Sequence, residues 1–310
     1  MAEGTIVYEL GGWAAPWGIE YRIDSLNAFI LVIVTLIGAI VMPYARRSVV
    51  AEIPASRIYL FYTMLLLCEA GLLGIAITGD AFNLFVFLEI SSLSSYVLIS
   101  FGKDRRALTA AYRYLITGTI GATFYIIGVG LMYNVTGTLN IHDLSKLIPE
   151  LAGSRTIQAA LAFLTVGLGL KAALFPMHMW LPNAYAYAPS VVTVFLAATA
   201  TKVAVYALIR VIYSIFGTID LLEIFTVRDM LVVLALLAMF SGSLVAIYQK
   251  NLKRMLAFSS IAQIGYMVLG LSFDTVTGVA AGIIHLFNHA VMKGGLFMAL
   301  GAVSYRIGSV

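Results

Sequence analysis

Lys171 stands in the apolar run GLGLKAALFPMHMWLP, residues 167–182, five positions before Pro176. Lys202 and Lys293, the acids Glu69 and Glu89, and the histidines His285 and His289 likewise sit in stretches otherwise suited to lipid. A charged side chain near the centre of a bilayer costs about 2.5–3.5 kcal/mol even on the lenient insertion scale, so each of these groups requires a reason. All of them can exchange a proton. Burial disfavours an ammonium ion and a nearby carboxylate restores it; at about 6 Å and an effective dielectric of about 20 the attraction is roughly 2.8 kcal/mol, enough to decide whether the proton stays. In HLFNHAVMKGG, His285, His289 and Lys293 recur at i, i+4 and i+8 and share one helical face. The plain alternative is that such charges only pair and pin helices together. Two acids, three lysines and two histidines exceed what pinning needs, and the set reads as a path for protons.

Elements must position these groups. Pro176 removes a backbone donor and predicts a broken helix, with Pro182, Gly167 and Gly169 adding pliability. Non-helical backbone at membrane depth survives only inside protein or beside water, which is why discontinuous helices mark ion sites in transporters. His178, just past the break, suits either a relay role or a bond to a backbone carbonyl. The serines Ser91, Ser92, Ser94 and Ser95, with Ser259, Ser260 and Gln263, suit helix-to-helix hydrogen bonds or held water. Asp80 and Asn83 read as a helix cap.

With 61% hydrophobic and 11% charged residues, the 310-residue chain is an all-α polytopic membrane protein. Its single cysteine, Cys68, leaves no means of holding an iron–sulfur cluster or structural zinc, and no nucleotide-binding glycine motif is present. No cofactor, metal, redox centre or hydrolytic site is expected in this chain, nor a nucleic-acid partner. A span takes roughly 17–25 apolar residues. Nine candidates follow: 26–42, 58–77, 82–100, 110–133, 157–175, 190–212, 230–248, 253–272 and 277–304. Placing the loop after the first span in the cytoplasm puts eleven basic residues inside against five outside, which sets the orientation in the cell membrane. Residues 1–25 then lie outside with no signal peptide, and the chain stops at Val310 just after a span, so a fragment or a subunit completed by another chain is expected.

TGDAFNLFVFLEISSLSSYVLI with Glu89, GLGLKAALFPMHMWLP with Lys171, ATATKVAVYALIR with Lys202, NLKRMLAFSSIAQIGYMVLG, and HAVMKGGLF with His289 and Lys293 together resemble the antiporter-like subunits of the complex I superfamily. That group includes large membrane subunits of NADH:quinone oxidoreductase, Mrp-type sodium/proton antiporter subunits and membrane-bound hydrogenase subunits; YELGGWAAPWGIEYRIDSLNAF looks most like the Mrp D-type and hydrogenase branch. The resemblance implies fourteen helices with two inverted five-helix repeats, each holding one broken helix. Residues 1–57 would be an exposed segment and first helix, 58–212 the first repeat with its break near Pro176, and 213–310 the start of the second. It implies that Glu89 pairs with Lys171 as the central proton carrier, that Lys202 connects, and that His285, His289 and Lys293 continue the path. It also implies partner membrane subunits, with either a redox arm bearing iron–sulfur clusters or an antiporter complex without redox chemistry. The family's LPDA and PSPV signatures are replaced here at Asn183, Tyr187 and Val192, and Glu69 lies outside the pattern. Two other classes remain: a non-translocating structural subunit, and a retinal protein with a Schiff-base lysine, against which nine spans, three lysines and a broken helix weigh.

Overall fold

A computed structural model describes residues 4–151, 153–217 and 227–307; the chain's first three residues and its end at Val310 lie outside the described residues. The first described element is a two-stranded antiparallel hairpin, β1 (Ile6–Glu9) and β2 (Glu20–Ile23), in what the sequence marks only as an exposed segment. Helices follow: α1 (Ser25–Glu52), α2 (Ile58–Ile77), α3 (Ala81–Ser100), α4 (Arg106–Thr136), α5 (Ile141–Leu147), α6 (Arg155–Lys171), α7 (Leu181–Tyr187), α8 (Ser190–Ala198), α9 (Ala200–Ile209), α10 (Val227–Ile247), α11 (Leu252–Ser272) and α12 (Val276–Ile307). Local chemistry sets their ends. Asp24 accepts from the backbone N–H of Leu26 and Asn27 while the Asn27 side chain accepts from Asp24, a capping box that starts α1. Asp80 caps α3 by accepting from Asn83 at 2.6 Å, and Asn251 caps α11.

Among the described residues, eight helices are long and apolar enough to cross a membrane. The fifth predicted span, 157–175, is the 17-residue α6, which stops at Lys171 instead of running on to the proline. The stop is made by the backbone before Pro176 is reached: Ala173 adopts a left-handed φ of 57°, Leu174 N–H bonds Gly169 O at 2.8 Å and Ala173 N–H bonds Leu170 O at 3.2 Å, the paired closure that ends many helices. The chain next turns through Pro176 and resumes as α7. The sixth predicted span, 190–212, runs from Ser190 to Ile215 and is almost wholly buried, forming the axis of the bundle. It is also interrupted. Thr199 (φ −120°, ψ −59°) separates α8 from α9, and α9 passes into a π-helical turn over Arg210–Ile215. No proline or glycine announces either irregularity.

Close packing relies on small residues, as in membrane bundles generally. A Cβ on Gly167 of α6 would lie 2.7 Å from Gly121 O of α4, and one on Gly71 of α2 would lie 2.6 Å from Ser91 N of α3. These approaches bring α6 against α4 and α2 against α3. Large apolar side chains left outward on α1, α4 and α10, among them Leu36, Ile120 and Phe240, give the bundle a lipid-compatible exterior.

Candidate proton-handling site

Lys171 closes α6 with its ammonium turned inward. Its Nζ donates to Glu89 Oε1 of α3 at 3.1 Å and to Ser92 Oγ at 2.6 Å, with the lysine side chain 5% exposed and the glutamate 22%. Ser92 stands three residues after Glu89, so both acceptors face the same way from α3. Trp180, beyond the break, stacks on Tyr114 of α4 at 3.8 Å and donates through Nε1 to Leu170 O at 3.0 Å. That bond ties the returning chain to the last turn of α6 and fixes the position from which Lys171 reaches Glu89. A cavity of about 20 Å³ touches Lys171, Ser92 and Ser95.

The second cluster lies across α9. Ala200 and Ala204 face the Lys171 cavity, while Lys202, two residues on from Ala200, is turned elsewhere and is 1% exposed. Its Nζ donates to Ala197 O at the C-terminal end of α8 and to Thr201 Oγ1 at 3.2 Å. The Thr199 interruption exposes that carbonyl, and the negative end of a helix dipole suits a cation. Lys293 of α12, 2% exposed, donates to Leu256 O at 2.9 Å and Ser259 Oγ at 3.0 Å on α11. His289 lies within electrostatic reach of both Lys202 and Lys293, and its ring stacks 6.4 Å from that of His285. Neither nitrogen of His289 has a hydrogen-bond partner among the described residues. His285 in turn meets Tyr266 edge-on at 6.0 Å.

Sequence reading expected one path; the geometry sorts its residues into Glu89 with Lys171, and Lys202 with His285, His289 and Lys293. The two other groups stand apart. His178 is stacked on Phe175 at 5.3 Å, with Nδ1 buried and unpartnered among the described residues. Glu69 of α2 lies against α1, where a Cβ on Gly38 would strike its carboxylate. Sequence reading did not single out five contributors. The carbonyls of Ala197 and Leu256 carry no signature in side-chain chemistry. Glu52, at the end of α1, accepts from Ser190 N–H at 2.9 Å at the start of α8, and Lys253 donates to Ser190 Oγ at 3.2 Å. Arg210 forms an ion pair with Asp24 at 2.6 Å and donates to Tyr206 Oη at 3.0 Å. Burial works against the Asp24 carboxylate, but the hydrogen bonds from Arg210 and from the N–H groups of Asn27 and Leu26, with the guanidinium charge, outweigh it and hold the carboxyl below its ordinary value. For Asp80, burial prevails over the hydrogen bonds from Asn83 and Phe82 and pushes the carboxyl up.

Residues 78–310 match the transmembrane family described as NADH:quinone oxidoreductase/Mrp antiporter. The chain belongs to that family. Among curated relatives, subunit N of the NADH-quinone oxidoreductase of Desulforudis audaxviator (strain MP104C) is 46% identical over 301 residues, covering 97% of this chain and 59% of that one. A chain of the membrane-bound sulfane sulfur reductase, an archaeal respiratory membrane complex, superposes with a TM-score of 0.91 at 36% identity, covering 97% of this chain and 60% of its own length. A chain of the Mrp complex from Dietzia sp. DQ12-45-1b gives 0.88 at 31% identity, covering 99% and 56%. The chain thus spans about three fifths of the length of the relatives it matches. An antiporter-like fold of the complex I superfamily, all-α and polytopic, is what sequence and structure share, and a fourteen-helix whole is compatible with these relatives.

Proposed function

We propose that this chain carries protons across the cytoplasmic membrane as part of an antiporter-like subunit in a multi-subunit ion-pumping complex, with the N-terminal hairpin outside. Glu89 and Lys171 form the switchable pair; Lys202, His289, His285 and Lys293 form the onward path, and residues 58–212 act as the first of two inverted repeats. The observation that carries the reading is the Lys171–Glu89 contact of 3.1 Å at the end of a helix that stops inside the bundle. While the carboxylate is close, the ammonium is favoured; when it withdraws, a buried lysine without a counter-ion gives up its proton. A break beside Lys171 supplies backbone that can adjust, and Ser92 offers an acceptor that remains when Glu89 leaves.

Two hosts are supported. The higher identity to an NADH-quinone oxidoreductase subunit favours a redox-driven complex whose iron–sulfur arm belongs to other chains. The likeness to an Mrp complex supports a sodium/proton antiporter without redox chemistry. Replacement Lys171→Ala in the intact complex, reconstituted in vesicles with a pH-sensitive dye, should abolish proton translocation while the complex still assembles; translocation at the native rate would defeat the proposal. Mass spectrometry of that same complex separates the hosts, through partner chains bearing iron–sulfur ligands or membrane partners only.

A further inference from the structure

Two cavities lie along one groove between α2, α3 and α9. The outer one, about 220 Å³, includes Asp24, Asn27, His142, Tyr206 and Arg210 in its lining and lies at the hairpin end of the bundle. The inner one, about 20 Å³, is the chamber at Lys171 and has room for about one water, which Ser92, Ser95 and the ammonium can bind. The same three helices line both, roughly one turn apart. From the outer to the inner cavity, α3 presents Leu84 and then Leu88, and α9 presents Tyr206 and then Ala204. Thr78, just past the end of α2, faces the outer cavity; on α2 Leu72 faces the inner, and Ile75 is the residue common to both. Ile75 is 2% exposed, Leu84 2% and Leu88 3%, so buried aliphatic side chains stand between the two cavities at this level.

We propose that Ile75 is an apolar gate through which Lys171 exchanges protons with the hairpin side of the membrane. The inference rests on the reading of Lys171 as a proton carrier and adds the side from which it is reached. An apolar constriction one residue thick interrupts a water column by dewetting and needs only a small displacement to fill. The groove has a wall able to supply that displacement. The ten-residue α9 is bounded by the Thr199 interruption on one side and the π-helical turn at Arg210–Ile215 on the other, irregularities of the kind found where membrane helices bend. The outer mouth is anchored by comparison: Tyr206 Oη donates to Ala76 O at 2.9 Å, next to Ile75.

The test is cryo-electron microscopy of the intact native complex beside its Ile75→Ser and Ile75→Thr variants, the latter close to isoleucine in shape. It is paired with passive proton conductance of the same complexes in liposomes under an imposed pH gradient and no driving reaction. The native complex should show ordered water in the outer cavity and at Ser92 with a gap at residue 75. The variants should show the gap bridged and conduct protons several-fold faster. Continuous water past Ile75 in the native complex, or a dry constriction in both variants, would overturn the gate. The leak should vanish when Lys171→Ala is added to Ile75→Ser. A leak that survives would overturn the connection to Lys171 while leaving the bridged gap in place, so the two readings fail separately.

Discussion

Lys171 and Lys202 are both buried lysines beside a helix interruption, yet they are held in opposite ways. Lys171 has a carboxylate at 3.1 Å and a hydroxyl at 2.6 Å, whereas Lys202 has a helix-end carbonyl and one hydroxyl, with Lys293 as its charged neighbour. A carboxylate on a long side chain can approach and retreat; a helix-end carbonyl is fixed by its backbone. On the proposed reading the switch lies in the first cluster and conduction in the second, because the first holds a carboxylate that can approach and leave the ammonium.

That contrast can be broken by mutation. Glu89→Gln leaves an uncompensated ammonium and should destabilise the assembled complex by about 3 kcal/mol, read as a lower unfolding midpoint in detergent; the double change Glu89→Gln with Lys171→Met should recover most of that stability without recovering transport. Ser92→Ala removes a hydrogen bond to a charged group and should cost about 1.5 kcal/mol by the same measurement, with transport slowed but present. Lys202→Met, which replaces a buried charge that has no acid partner by an apolar side chain, should change stability by less than about 1 kcal/mol while still stopping transport. A large loss of stability on Lys202→Met would erase the distinction between the clusters. The smallest effect lies at the outer mouth. Because Asp24 has a depressed value in the folded chain, its stabilisation is present above the ordinary carboxylate value of about 4 and is lost as pH falls through the folded value. Asp24→Asn should therefore flatten the acid end of a thermal-stability profile measured downward from pH 5.

Side-chain chemistry was the legible part of this molecule. Glu89, Lys171, Lys202 and Lys293 stood out because charge in an apolar run is costly, and His285, His289 and Lys293 because spacings of four put them on one face. The break after Lys171 was legible only in outline: Pro176 marks where a helix cannot continue, but the helix ends five residues earlier at Lys171, closed by Ala173 in a left-handed conformation that alanine does not advertise. The Thr199 interruption was illegible, since ATATK reads as ordinary helix and holds no proline or glycine to mark a break. Lys253 was legible only as one of the inside basic residues; a count of charges does not show that it is 9% exposed and bonded to the start of α8.

The most direct test of the switch is Lys171→Arg in the intact complex. Arginine keeps the positive charge and can keep the ion pair with Glu89, but it does not release its proton in proteins. Proton translocation driven by the complex's own reaction should fall to background although assembly and stability stay near native. Translocation at the native rate with arginine at position 171 would contradict the assignment of Lys171 as the group that takes up and gives up the proton.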